Sequence, residues 1–173
     1  MKKIVLALVI MVGLGSTAIA QSKIAHVKSQ TLLDTLPSRI AALDKLKKFE
    51  LEGIAELQEM KKDFEVAVAK YDAEARDMSP VIRQIEEEKL MKKQQAFQER
   101  EQSLNYEMQA YQQELNAPIL QMVQDAVKVV SERMKLNYVI DESVTLYFAG
   151  GTDITDEVAA ELLKMDAAAN SEN

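Results

Sequence analysis

Residues 137–155 read NYVIDESVTLYFAGGTDIT, and the fold turns on what this stretch pairs with. Tyr138–Ile140 and Val144–Phe148 are β-branched or aromatic, with the turn formers Asp141, Glu142 and Ser143 between them, a pattern that predicts a hairpin. A lone hairpin is marginal in water and needs a third strand or a packed helix. The long stretch before it is charged and helical in pattern, so the partner must come from the other end of the chain. Ile24–Val27, the first short apolar run after residue 20, is the candidate.

That first run follows a leader. Residues 1–20, MKKIVLALVIMVGLGSTAIA, have a basic start, an apolar stretch from Ile4 to Leu14 and small residues at Ala18 and Ala20. They predict a secretory signal peptide cleaved after Ala20, because the apolar stretch falls short of the ~20 residues of a spanning helix. Residue 21 is Gln and the chain has no cysteine, so neither a lipid-modified cysteine nor a disulfide framework is available. The mature chain is expected to be exported. Its formal charge of −7 becomes −9 when Lys2 and Lys3 are removed (−7 − 2), which disfavours nucleic acid as a partner.

The middle of the chain has a helical period. Alternate steps of four and three from Leu36 give Ile40, Leu43, Lys47, Glu50, Ile54, Leu57, Lys61, Phe64, Val68, Tyr71, Ala75 and Met78. Such a 3.5-residue repeat predicts a coiled-coil seam. Ser79 and Pro80 then suit the cap and first position of a returning helix, on which Leu90, Gln94, Phe97, Glu101, Leu104, Met108, Tyr111 and Leu115 keep the alternation. After Leu115 the phase slips to Ile119, Met122, Ala126, Val129, Arg133 and Leu136, and Pro118 at the slip predicts a kink.

These elements make an α+β fold, mostly α. A long antiparallel helical hairpin over residues 38–118 projects from a small β-head formed by residues 21–37 and 119–166, and residues 167–173 are a flexible tail. Ser29 is a candidate cap for a helix after the first strand. Thr155 is expected to cap a final helix whose apolar stripe is Ile154, Val158, Leu162 and Met165. A head this small, with open strand edges, calls for oligomerisation.

KIAHVKSQTLLDTLP directly after a signal peptide, the charged helical hairpin, and LNYVIDESVTLYFAGGTDITDEVAAELLK at residues 136–164 together resemble the Skp/OmpH family of periplasmic chaperones. The resemblance covers nearly all of the mature chain. It implies a homotrimer whose subunits pool their strands, with helical arms around a cavity that holds unfolded outer-membrane proteins without ATP. It also implies a basic protein, and this chain departs from it in being acidic, so hydrophobic or mixed-charge contacts must do more of the work.

Phe49, Leu51, Met60, Val66, Met91 and Tyr106 lie off the traced seam and are the candidates for client contact, where soft methionine suits varied partners. Ile24, Val27, Val139, Ile140, Val144, Leu146 and Phe148 are the candidates for oligomerisation. Arg76, Arg83, Lys92 and Lys93 near the tip allow a weak contact with lipid or lipopolysaccharide, set against acidic neighbours that nearly cancel them. His26 is the only histidine, and with no cysteine or second imidazole it predicts no metal site. Gly150-Gly151 lacks the spacing of a phosphate loop, so no cofactor is expected, and no nucleophile and base form a set that would make an enzyme. The alternative is a structural envelope adaptor docking through its hairpin tip, DMSPVIRQIEEE.

Overall fold

The computed structural model describes residues 23–171. The predicted signal peptide and its cleavage point lie outside the described residues. In order, the chain forms β1 (Ile24–Val27), α1 (Ser29–Asp34), α2 (Pro37–Glu74), α3 (Pro80–Met134), β2 (Tyr138–Asp141), a 3-10 turn (Glu142–Val144), β3 (Thr152–Asp153) and α4 (Thr155–Ser171). Helix α4 continues through residue 171, well into the segment expected to be a flexible tail.

The chain ends meet as expected, but the sheet is built differently. β1 is its central strand, in the order β2-β1-β3, and both pairings are parallel: Ile24 faces Tyr138, and His26 faces both Ile140 and Asp153. Val144–Phe148 forms no strand, so the predicted hairpin is absent. The reason is local. The Asp141 carboxylate accepts the Ser143 N–H at 3.0 Å and the Asp141 carbonyl accepts the Thr145 hydroxyl at 2.9 Å, so the chain coils into a 3-10 turn instead of reversing. Gly151, at φ 110°, then redirects the chain into β3; a Cβ there would meet the His26 ring at 3.2 Å, so a side chain is opposed by both space and backbone.

Beneath the sheet, Ala25, Val27, Leu32, Leu36, Ala42, Ile119, Ala126, Val130, Ile154, Val158 and Leu162 form one core, drawn from both chain ends and from the root of the arm. Two caps differ from expectation. Ser29 is the first residue of α1 and makes no cap of its own; the Asp141 carboxylate is bonded to Ser29 instead, and with Ser143 this holds it below the ordinary carboxylate range although burial acts the other way. At α4 the acceptor is Asp153, which takes the Thr155 N–H at 2.9 Å. Thr155 turns its oxygen to the Lys28 N–H at 3.1 Å and so ties β1 to α4. Buried Asp166 of α4 accepts the Ser38 N–H at 3.3 Å in the first turn of α2, where a negative charge suits the helix dipole.

The arm is an antiparallel pair, with Ser79 capping α3 through Ile82 N–H and Pro80 at its first turn. The 38 residues of α2 extend roughly 57 Å at ~1.5 Å each. The inward positions of α2 and of the turn that follows it are Ala42, Leu46, Phe49, Gly53, Leu57, Met60, Phe64, Val68, Tyr71, Ala75 and Met78. Ala42, Gly53, Phe64 and Ala75 recur at eleven residues, which is 3.67 per turn, the period of straight or slightly right-handed packing. On α3, Leu104, Leu115 and Ala126 recur in the same way. The expected heptad seam therefore coincides with the true one at Leu57 and again from Phe64 outward, with Met60 in place of Lys61 between them, and leaves it nearer the root, where Ile40, Leu43 and Ile54 face solvent. Helix α3 runs unbroken through Pro118; the phase slip there is the eleven-residue repeat itself, which also buries Val130 in place of the expected Val129.

At mid-arm the helices touch through Gly53 and Leu104. A Cβ at residue 53 would overlap both Leu104 methyl groups, one of them at 2.7 Å. Gly53→Leu should force the helices apart and cost about 1–3 kcal/mol in urea unfolding followed by helical signal. An unchanged midpoint would show that the close approach is dispensable.

Candidate functional site

The arm's interface sets what its outer surface can offer. Phe49 packs on Tyr111 with ring centroids 5.2 Å apart, and Met60 is half-buried on the same inward face, so neither is the off-seam residue expected. Both were misplaced because the seven-residue count puts the seam one residue further on, at Glu50 and Lys61, which are exposed. Leu51, Val66, Met91 and Tyr106 are outward as expected, 57 % to 75 % exposed. The seven-residue count also hid three residues. Ile40 and Leu43 recur eleven residues on as Leu51 and Ile54, so these four lie on one outward face of α2, and all are exposed. An eleven-residue count would have found them.

Between these apolar positions several of the charges pair with one another. Arg100 of α3 reaches Glu56 of α2 at 2.9 Å and Glu107 of its own helix at 2.9 Å, and the Ser103 hydroxyl together with Arg100 holds Glu107 below the usual carboxylate range. Lys61–Glu65, Lys48–Glu52, Lys89–Glu86 and Lys92–Glu88 pair along the helices. Near the tip the Tyr71 hydroxyl donates to Glu87, and Arg83 donates to the Ala75 carbonyl at 3.0 Å. Two of the four basic residues considered for lipid contact, Arg83 and Lys92, are thus engaged within the arm. Beside them Val81, Ile82 and Ile85 are exposed at the tip.

The head carries the other apolar surface. Val144, Leu146 and Tyr147 stand out into solvent, Leu146 fully, and Ile24, Ile140 and Phe148 are part-exposed. Val27 is buried in the subunit's own core and Val139 packs against it, so these two oligomerisation candidates serve the fold of the single chain. Next to this surface His26, Glu142 and Asp153 gather from β1, the 3-10 turn and β3, with Lys28 among them.

The sequence profile described as "Outer membrane protein (OmpH-like)" matches residues 23–162. The chain belongs to the OmpH-like family. Curated relatives named "Chaperone protein Skp" include that of Photorhabdus laumondii, 28 % identical over 94 % of this chain and 99 % of its own length, and that of Pectobacterium atrosepticum, 30 % identical over 83 % and 87 %. A Caulobacter crescentus structure described as an OmpH-like outer membrane chaperone superposes with a TM-score of 0.74, covering 87 % of this chain and 89 % of that one at 20 % identity. The α+β head with a long helical arm is therefore an OmpH-like fold, although the charge balance of this member is acidic.

The division between inward and outward residues can be measured directly. Phe49→Ala should remove a half-buried ring and lower unfolding stability by about 1–3 kcal/mol, whereas Tyr106→Ala should stay within ~0.5 kcal/mol, as an exposed site does. Equal effects in urea titrations would contradict the assigned helix phase.

Proposed function

We propose that this chain is a periplasmic holdase that binds unfolded outer-membrane proteins between helical arms, without ATP, and keeps them from aggregating. The observation that carries this is an arm whose interface is already filled while a second row of large apolar residues stays outward. The relatives' name, Skp chaperone, supports the same reading. Those outward residues, Ile40, Leu43, Leu51, Ile54, Val66, Met91 and Tyr106, offer scattered weak contacts that suit a mobile client better than a fixed partner, because no single pocket holds them.

The working form is a homotrimer assembled through the head. Support comes from the free outer edges of β2 and β3 and from Val144, Leu146, Tyr147 and Phe148, a surface too apolar to stand in water. Light scattering of the mature protein should give three chains, and Leu146→Asp should reduce this to one while leaving the subunit's core intact; a trimeric variant would move the interface elsewhere.

Changing the seven outward residues of the arms together to serine should abolish suppression of aggregation of a urea-diluted outer-membrane protein, with trimer mass and helicity kept. Single changes should matter little, since each buried side chain of this kind contributes at most ~1.5–3 kcal/mol. Full activity in the combined variant would refute the arm as the binding surface. If serine at Val81, Ile82 and Ile85 alone abolished it, the adaptor-like docking of a tip would be favoured instead. Because acidic and basic residues nearly balance along the arm, client affinity should fall less than tenfold between low and moderate salt; a steeper fall would restore electrostatic capture.

A further inference from the structure

His26, Glu142 and Asp153 bring one imidazole nitrogen and two carboxylate oxygens within 4.8 Å of one another. We propose that they form a site for a zinc-class divalent cation on the head, whose place is held by the Lys28 ammonium until the ion displaces it. The sequence carries one histidine and no cysteine; the fold adds two carboxylates from more than a hundred residues downstream.

The geometry favours such an ion in three respects. His26 Nδ1 and Glu142 Oε1 are 2.8 Å apart and only 15 % and 22 % exposed, close to the ~3.3 Å between neighbouring ligands of a tetrahedral ion with bonds near 2.0–2.1 Å. The imidazole is held in orientation by Phe148, its ring centroid 4.8 Å away. Asp153 is fixed by two bonds from Thr155 to one oxygen, which leaves Oδ2 directed at the cluster. That oxygen meets Lys28 Nζ at 3.1 Å, and the same ammonium lies 3.9 Å from Glu142.

A positive charge is thus already demanded at this point. Lys28 is half exposed, and an exposed ion pair is worth little, so a flexible lysine yields readily to an ion that also gains a nitrogen ligand. The mixed nitrogen and oxygen donors select zinc, copper or nickel over magnesium and calcium. A bound ion would join β1, the 3-10 turn and β3, and so brace the stretch that carries Val144, Leu146 and Phe148.

The single histidine makes the test specific. Zinc chloride titrated calorimetrically into the mature protein in a non-chelating buffer should bind once per chain, and the His26 ring signals should shift in nuclear magnetic resonance spectra to the same endpoint. His26→Gln and Glu142→Gln should weaken binding by about tenfold or more, and Lys28→Met, which removes the competitor and no ligand, should tighten it. Absence of saturable binding, equal binding of magnesium, or binding indifferent to His26→Gln would overturn the site. Should a ligand variant fail to fold, Lys28→Met decides alone: no tightening overturns the proposal.

Discussion

A four-residue strand must be paired on both of its edges by segments that lie more than a hundred residues later, and everything else in this protein follows from that pairing. The segment that follows β1 is helical and cannot pair with it. Its partners, β2 and β3, are parallel to it, and parallel strands need a connection that crosses back. Here the connection is the whole arm. The arm must therefore return to its root, which is why Ala42 of α2 and Ile119, Ala126 and Val130 of α3 share a core with Ala25, Val27 and the α4 stripe. The head and the arm are one folding problem.

The return is governed by helix phase. Two straight helices stay in contact over a long distance if the inward residues recur at about 3.67 per turn, and the eleven-residue spacing of Ala42, Gly53, Phe64 and Ala75 meets that condition without strong supercoiling. Gly53 lets Leu104 sit against the α2 backbone, and Arg100 fixes the neighbouring turn through Glu56 and Glu107. With the interface narrow, the apolar residues on the far side of α2 stay exposed among the described residues. That surplus, which would be a liability in a compact enzyme, is what a holding protein needs.

The two-helix arm, its turn at Ser79-Pro80, the first strand and the final helix were all legible in the sequence, because capping residues and long apolar periods are local signals. The sheet's third strand was not. Val144–Phe148 has the composition of a strand, and Asp141, by drawing in the Ser143 N–H and the Thr145 hydroxyl, decides otherwise; Thr152–Asp153 is too short to show any pattern. The helix seam was half legible, since counts of seven and eleven agree over the outer turns and diverge toward the root, which placed Phe49 and Met60 outside and Ile40, Leu43 and Ile54 inside. The cluster around His26 was hidden for another reason, as its carboxylates arrive only through tertiary pairing.

The central claim is that one face of each arm is closed by its partner helix and the other is open to unfolded chains. Photo-crosslinking tests it most directly, with a photoreactive side chain placed in turn at Leu51, Val66 and Tyr106 and at the inward Leu57 and Leu104, then irradiated with an unfolded outer-membrane protein bound. The account predicts crosslinks to the client from the first three positions, and crosslinks within the arm from the last two. Client crosslinks that are equal from both sets, or confined to the head, would contradict it.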